Sequence, residues 1–505
     1  MSDRGRRPCL IGVARHTWHP DAVGRHGAPE PLDMWEQMAR VAAADAGTPG
    51  ALLHLDSLDV VYCQSWQYDD PTGRLAGRLG ADPGRRRYSG IGGSVPQSLV
   101  AEAATGIADG DLDLALVVGA EALATVRRAK KEGNELGWSH PPAEKPRFPY
   151  DTPVHPSEVN HGIFQAFLSF ALFDSARRAH LGRSLDEHRR HLGEMLSRLT
   201  EVAAADPDHA WFPIARRPEE IVTPTPANRM VAFPYTKLMT SIMDVDMAAA
   251  VLLASDETAD RLGVDRSRRV YLRGFAYAED PPFIAARRDL WRSVAMRAVM
   301  TAALDQAGIG VADLAHLDLY SCFASSIGFG VDALGLDEHR FLSGTRSVTV
   351  TGGLPYHGGP GSNYMTHSIA AMAERLRSDP GACGLVSGVG MHMCKHVAAV
   401  WSTTPGAAEV AGPGGLQSQV DATLELAPIL ETAEGTATVA AYSVLHGRDG
   451  EPEWGALVCD LPGGARCYAR LHDRDALVEA EQTELVGRPV RLADAGAGVN
   501  LAVPT

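Results

Sequence analysis

Runs of strand-like and helix-like residues alternate over residues 8–125. The predicted strands are PCLIGVAR (8–15), LDVVYCQSW (58–66), RRRYSGI (85–91) and LALVVGAEAL (114–123). The predicted helices are PLDMWEQMARVAAADAG (31–47), PTGRLAGRLGA (71–81) and SVPQSLVAEAATGIADGD (94–111). Continuous apolar strands between helices are typical of a parallel sheet that is covered on both faces. The pattern therefore predicts an α/β fold.

The same order of elements recurs after residue 265. It comprises the strand RRVYLRGFAYAED (268–280), the helix LWRSVAMRAVMTAALDQAG (290–308), the strand HLDLYSCF (316–323), SVTVTGG (347–353), the helix NYMTHSIAAMAERL (363–376) and the strands GLVSGVGMHM (384–393) and VAAVWST (397–403). A glycine-rich loop precedes a helix in each copy, SGIGGS (89–94) in the first and YHGGPGS (356–362) in the second. We predict an internal duplication, with two unrelated α/β halves as the alternative.

The rest of the chain departs from this alternation. Residues 126–250 are rich in Pro and charge and then helical, which predicts an insertion over the core, and LMTSIMDVDMAAAVLLASDETADRLG (238–263) predicts a buried helix. After a Gly/Pro/Ala linker, short β-like runs predict a small antiparallel barrel or sandwich. The predicted domains are an N-terminal half (1–125), the loop domain with its return helix (126–250), a C-terminal half (251–405) and an additional C-terminal domain (416–505).

Composition and charge exclude several classes of function. The chain has 505 residues and a formal net charge of −15, and the segment from 406 to 505 has a net charge of −9. Nucleic-acid or anionic-membrane binding needs a basic surface, so we expect neither partner. The seven cysteines lie singly without CxxC spacing, which predicts reduced thiols and no metal site. Without a signal-like segment or a long apolar run, we expect a soluble cytoplasmic protein.

The duplicated halves, MDVDMAAAVLL (243–253) and the two glycine-rich loops together resemble the thiolase superfamily. With the appended C-terminal domain, the chain is most similar to the type 1 thiolase-like proteins, relatives of the sterol carrier protein thiolases often labelled acetyl-CoA acetyltransferase. The resemblance implies a duplicated five-layer α/β thiolase fold, an inserted loop domain and a C-terminal OB-like β-barrel. It also implies acyltransferase chemistry of lipid metabolism, with coenzyme A or an acyl-CoA as ligand and no bound cofactor.

The family's reaction needs four groups, and the resemblance gives each a position in this chain. The nucleophilic cysteine at a helix N-terminus falls on Gly93, and the activating histidine falls on Gly359. The second cysteine falls on Val386, and the polar residue that completes an oxyanion hole falls on Tyr320. None of the four positions keeps the family's residue, so whether the chain is an enzyme stays open.

Other side chains near these positions are candidates for relocated chemistry. Ser94 could accept an acyl group, although a cap for the following helix is the favoured reading. His357 and His392 could act as a base, and Cys322 is either a relocated thiol or a small buried residue.

The glycine loops and two basic runs are candidate ligand contacts. The backbone at Gly92, Gly93, Gly358 and Gly359 could hold a ligand carbonyl. The basic runs at 85–87 and 127–131 either attract the phosphates of coenzyme A or are solvated surface.

Three hypotheses follow from the sequence. The first is a protein that binds acyl-CoA or another acyl ligand without cysteine-dependent thiolysis or condensation. The second is an acyltransferase or carbon–carbon bond lyase that uses the relocated groups. The third is a non-catalytic scaffold for a partner subunit, and a homodimer and a monomer both remain open.

Overall fold

The computed structural model describes residues 6–24, 27–338, 342, 346–406 and 414–503. The first half contains the strands β1 (Pro8–Thr17), β2 (Ser57–Val60), β3 (Arg85–Tyr88) and β4 (Leu114–Ala122). Its helices are α1 (Pro20–Val23), α2 (Pro31–Asp45), α3 (Pro71–Leu79), α4 (Val95–Asp109) and α5 (Leu123–Glu132). These elements follow the predicted alternation, and the glycine loop at residues 89–94 leads directly into α4.

The middle segment adds mostly helices and returns to the sheet at its end. Its elements are α6 (Pro156–Asn160), α7 (Ala166–His180), α8 (Leu185–Ala204), α9 (Pro218–Val222), β5 (Met230–Ala232), β6 (Tyr235–Thr236), β7 (Asp246–Ser255) and α10 (Asp256–Arg261). The helix predicted over 238–263 is wrong, because its centre is β7, a strand buried over its whole length between β4 and β1. A run that is apolar on every side has neither helical nor strand periodicity, so the sequence pattern does not separate the two.

The second half repeats the first. Its elements are β8 (Val270–Glu279), α11 (Val294–Ala307), β9 (Leu314–Asp318), α12 (Ala324–Leu334), α13 (Tyr364–Ser378), β10 (Cys383–Gly390) and β11 (Lys395–Ser402). The segment SVTVTGG, which matches the third strand of the first half, has irregular backbone. The buried Asp318 carboxylate replaces part of the missing ladder there, since it accepts hydrogen bonds from Thr349 Oγ1 (2.7 Å) and Val350 N (3.0 Å).

Within the described residues, nine strands form one sheet in the order β3-β2-β4-β7-β1-β8-β11-β10-β9. Reading outward from the junction of β1 and β8, the order β1, β7, β4, β2 is repeated by β8, β11, β10, β9, so the two halves share one arrangement. The helices α4 and α13 contact strands of both halves, while α2 and α11 lie on the outer faces. The result is the predicted layered α/β fold, with α4 and α13 in the middle layer.

The C-terminal segment forms the predicted small barrel. Its elements are α14 (Leu416–Thr423), β12 (Gly435–His446), β13 (Pro452–Asp460), β14 (Arg466–Leu471), α15 (Arg474–Ala480), β15 (Pro489–Asp494) and β16 (Asn500–Val503). The strands close in the order β12-β13-β14-β16-β15-β12 around an apolar core of their own. In the ranges named above, no helix has the length and apolarity needed to cross a bilayer.

Candidate functional site

The N-terminal end of α4 is the centre of the candidate site. Gly92 has φ +144°, a conformation that favours glycine, and it turns the chain from β3 toward the helix. Its N–H donates to Ser362 Oγ at 3.0 Å, so the two glycine-rich loops touch each other. A helix of 15 residues has partial positive charge at this end, which favours a carbonyl or an anion there.

Ser94 lies at the N-cap position of α4, but it does not have the predicted capping role. Its backbone is helical (φ −83°, ψ −16°), and its side chain makes no capping hydrogen bond to any described residue. A capping side chain needs extended backbone to reach the amides of the first turn, which the turn at Gly93 and Ser94 does not provide. Ser94 instead lines a cavity of about 400 Å³.

This cavity lies between α4 and the strands β8 and β11. Its apolar wall includes Ile91, Val95, Phe275, Tyr277 and Val397. At the rim, Lys395 Nζ forms an ion pair with Asp151 at 2.9 Å. The arrangement can hold an apolar chain beside the start of α4.

Gly93 has no space for a side chain. An ideal Cβ at this residue would lie 2.1 Å from Tyr320 Oη and 2.3 Å from the Val389 carbonyl oxygen. The phenol of Tyr320 therefore occupies the space that the resemblance gives to the nucleophilic thiol. Burial raises the pKa of Tyr320, so its hydroxyl is a neutral donor at ordinary pH.

The space for a side chain at Gly359 is also occupied by other atoms. An ideal Cβ there would lie 2.4 Å from Ser241 Oγ, and the Gly359 N–H donates to the Ile242 carbonyl at 2.8 Å. Ser241 N in turn donates to the Cys322 carbonyl at 3.2 Å, which connects this loop to the end of β9. Val386 is a buried core residue of β10. The neighbouring Gly358, at φ +109°, would place a Cβ 2.7 Å from Met247 Sδ.

His357 is fully buried two residues before Gly359. Neither of its ring nitrogens has a hydrogen-bond partner among the described residues, and its ring lies 5.4 Å from that of the equally buried His367. Burial, and then the positive charge of Arg15, lowers the pKa of His357 to about 3. A neutral and enclosed imidazole is poorly placed for the base role that the sequence suggested.

His392 lies closer to the α4 loop. It is half-buried in the turn between β10 and β11, and its Nδ1 lies 2.9 Å from Ser169 Oγ. The turn reaches the glycine loop, because Met391 Cε would lie 3.9 Å from a Cβ on Gly92. Burial, followed by Arg287, lowers the pKa of His392 to about 4.

Cys322 follows β9 and contacts the helix α12. Its Sγ lies 3.7 Å from Ser326 Oγ, and burial raises the pKa of the thiol to about 12. A thiol with this pKa is protonated at neutral pH and is a weak nucleophile. Cys322 is only partly buried, and its protonated thiol does not support the role of a relocated nucleophile.

Glu121 is a buried acid near the site that sequence reasoning missed. It is the penultimate residue of β4 and accepts hydrogen bonds from Gln64 N (2.8 Å) and Ser65 N (3.0 Å). A Cβ on Gly361 would lie 2.5 Å from its Oε1, so the carboxyl group lies directly under the second glycine loop. Burial raises its pKa to about 7. A charged residue within the apolar run LALVVGAEAL was the available signal.

Three of the seven basic residues in the two basic runs form local ion pairs. Arg87 Nε contacts Asp59 at 2.8 Å, Arg85 contacts Glu102 at 3.4 Å, and Arg127 pairs with Asp244. At these three residues the contacts favour solvated surface over a phosphate site. In the described ranges, no group of three or more His, Cys, Asp or Glu side chains is arranged to hold a metal ion.

Comparison with known proteins agrees with this architecture. A family model described as the thiolase-like protein type 1 additional C-terminal domain matches residues 415–497. The crystal structure of a monomeric SCP2-thiolase like protein type 1 from Mycobacterium smegmatis is 29% identical, covers 100% of both chains and has a TM-score of 0.85. The resemblance to the type 1 thiolase-like proteins is confirmed.

Two other proteins match less of this chain. A 3-ketoacyl-CoA thiolase of Serratia proteamaculans is 29% identical over 154 residues, which are 28% of this chain and 33% of that relative. The chain therefore matches about a third of the length of this curated relative. An Ltp2-ChsH2(DUF35) aldolase has a TM-score of 0.60 at 14% identity and covers 79% of this chain and 98% of that chain, which shows the fold alone.

Proposed function

We propose that this chain binds coenzyme A thioesters or related acyl ligands at the N-terminal end of α4, and that it does so without cysteine-dependent thiolysis or condensation. The observation that carries the proposal is the contact between Gly93 and Tyr320. With Tyr320 Oη 2.1 Å from an ideal Cβ on Gly93, the position admits no nucleophilic side chain, while the helix end and the cavity beside it remain.

Acyl binding and acyl transfer need different groups, and this chain has those for binding only. Binding of an acyl carbonyl needs the partial positive charge of the helix end and an apolar wall, and both are present. Transfer of the acyl group needs a thiolate and a base, but the candidate thiol Cys322 and the candidate base His357 have pKa values shifted away from those roles.

Binding and thiolysis can be measured on the same protein. Calorimetric titration with coenzyme A, acetyl-CoA and longer acyl-CoAs measures binding, and loss of the enolate absorbance of acetoacetyl-CoA with free coenzyme A measures thiolysis. We expect acyl-CoA binding without thiolysis. Thiolysis at an ordinary enzymatic rate would contradict the proposal.

A matched pair of variants locates the bound ligand. Ser94→Asp adds a negative charge at the ligand end of α4, and Ala108→Asp adds the same charge at its opposite end. We expect Ser94→Asp to abolish acyl-CoA binding and Ala108→Asp to preserve it. Equal affinity in both variants would place the ligand elsewhere, and no binding by the wild type at millimolar ligand would favour the scaffold role with a partner subunit.

Carbon–carbon bond cleavage is the second candidate function. It is favoured by the phenol hydroxyl of Tyr320 beside the α4 loop, because a neutral donor there can stabilise the enolate oxygen that forms as the carbon–carbon bond breaks, and no acyl-cysteine is needed. The neutral imidazole of His392 is the candidate acceptor of the β-hydroxyl proton, which it would return to the α-carbon. The Ltp2-ChsH2(DUF35) complex with this fold is described as an aldolase. Cleavage of a β-hydroxyacyl-CoA that is lost in Tyr320→Phe, with acyl-CoA affinity retained, would support this function over simple binding.

A further inference from the structure

The C-terminal barrel contacts the segment at residues 284–288 through several polar groups. Arg466, a buried residue at the start of β14, donates from Nη2 to the Arg288 carbonyl at 2.9 Å and from Nη1 to the Arg287 carbonyl. Tyr468 Oη accepts from Ala285 N at 2.8 Å. The segment leading into the barrel adds a bond from Ala427 N to the Ala286 carbonyl at 2.9 Å. Four consecutive residues of the core are therefore bonded to the C-terminal segment.

Arg287 connects this contact with the turn beside the candidate site. Its Nη2 donates to the His392 carbonyl at 2.7 Å, and its Nη1 donates to the Met393 carbonyl at 2.9 Å. Its Nε donates to the Pro281 carbonyl at 2.8 Å, and the guanidinium lies 4.8 Å from the centre of the Phe173 ring. The side chain is buried and fixed in this orientation on all sides.

The turn that Arg287 holds has an unfavourable backbone conformation. Met391 and Met393 have φ +53° and +52°, in the left-handed region that side chains other than glycine rarely adopt. Such residues cost free energy and persist only where surrounding contacts impose them. Charged hydrogen bonds to the carbonyls of residues 392 and 393 are contacts of this kind.

The turn also lies next to the candidate site. It joins β10 to β11, Met391 Cε would lie 3.9 Å from a Cβ on Gly92, and the Val389 carbonyl two residues earlier faces Gly93. A change in the turn would therefore alter the space next to the start of α4.

We propose that the barrel sets the shape of the candidate site, with Arg466 and Arg287 as positioning residues that hold the 391–394 turn against the α4 loop. The effect on ligands rests on the function proposed above, whereas the effect on the turn does not. The barrel is, in this view, a structural part of the ligand site and not an independent module.

Amide hydrogen exchange in the ligand-free protein tests the effect on the turn. Cys394 N donates to the Gly390 carbonyl at 3.2 Å across the turn, so its exchange reports opening. We expect Arg466→Ala to speed this exchange by roughly tenfold or more, since a charged hydrogen-bond pair is lost. Arg466→Lys, which keeps the charge, should restore part of the protection.

Arg470→Ala is the matched control. Arg470 lies on the same strand and also binds core carbonyls, those of His161 (3.1 Å) and Asn160 (3.2 Å), but these lie at the end of α6 and not beside the turn. We expect this variant to leave Cys394 exchange unchanged. Equal exchange of Cys394 in Arg466→Ala and wild type, or equal acceleration in both Ala variants, would overturn the proposal.

Two further measurements separate the possible failures. If Arg466→Ala does not fold, Arg287→Lys replaces it as the test, because a lysine cannot donate to both the His392 and the Met393 carbonyl as the guanidinium does. The Cys394 amide must then exchange faster although the barrel is intact. Unchanged exchange in Arg287→Lys would overturn the proposal. Titration with coenzyme A tests the ligand effect, and weaker binding is expected in Arg466→Ala than in Arg470→Ala. Wild-type protein that shows the exchange difference but binds no acyl-CoA would refute the proposed function alone.

Discussion

Replacement of Gly93 by alanine tests the central observation of the candidate site. The new Cβ would lie 2.1 Å from Tyr320 Oη, 2.3 Å from the Val389 carbonyl and 2.4 Å from Tyr320 Cζ. Non-bonded carbon contacts are favourable at about 3.5–4.0 Å, so each of these distances is short by more than 1 Å. Gly93 is absent from the positive-φ residues, so the expected effect is steric and not conformational.

The size of the effect follows from which atoms can move. Overpacking of a core costs about 1–3 kcal/mol. The Val389 carbonyl belongs to β10, which is paired with β11, and the Tyr320 ring is buried, so little relaxation is available. We therefore expect the free energy of unfolding to fall by about 3 kcal/mol in Gly93→Ala, at the upper end of that range.

Guanidinium denaturation followed by circular dichroism measures this change. Gly90→Ala is the control, because a Cβ at Gly90 meets no described atom within 4 Å, and we expect a change within about 0.5 kcal/mol. Tyr320→Phe should not rescue Gly93→Ala, since the ring carbon at 2.4 Å remains, whereas Tyr320→Ala should show favourable coupling of about 1–2 kcal/mol. A Gly93→Ala protein as stable as Gly90→Ala would refute the reasoning, as would thiolysis gained by Gly93→Cys alone.

Three other features give measurable expectations. The pKa of Glu121 is raised to about 7, so the folded protein keeps a proton that the unfolded chain releases near pH 4.5. The free energy of unfolding should therefore fall by roughly 3 kcal/mol as the pH rises from 4.5 to 7. Urea midpoints of Glu121→Gln should not show this decrease with pH. The pKa of His357 is lowered to about 3, so its ring proton resonances should keep neutral-imidazole shifts from pH 8 to pH 5 in NMR titration. Arg178 is fully buried and pairs with the partly exposed Glu484 of the C-terminal segment at 2.8 Å. Glu484→Ala should lower the free energy of unfolding by about 2–3 kcal/mol in denaturant titration, because it leaves a buried guanidinium without its carboxylate, and a decrease of less than about 0.5 kcal/mol would contradict this expectation.

Much of the fold follows from local patterns in the sequence. The glycine loops at 89–94 and 356–362 each precede a middle-layer helix, as predicted, because a tight turn followed by a helix start has a recognisable composition. The short β-like runs between turn residues predict the strands of the C-terminal domain, but they fit a sandwich as well as the closed barrel that forms. β7 was predicted as a helix because burial on both faces removes the alternation of a strand.

The candidate site was less predictable, because it depends on which distant side chains fill shared space. The sequence placed Gly93 and Tyr320 at separate family positions, but only the fold shows that the phenol occupies the space next to Gly93. Ser94 has the right residue type for a cap and the wrong backbone conformation. Ser241, Arg287 and Glu121 escaped notice because their roles come from contacts with remote loops.

The strand β3 has a consequence for association between copies of the chain. It forms one edge of the nine-stranded sheet within the described residues, and Arg86 on it is exposed. An edge strand offers unpaired backbone groups to any strand that approaches it. Arg85 and Arg87 pair with acids of their own chain, so the repulsion comes from Arg86. A pairing of two copies centred on this residue would bring the two Arg86 side chains side by side, and like charges in such positions repel each other, more strongly at low salt. The sheet thus ends at a strand whose own charge opposes its extension.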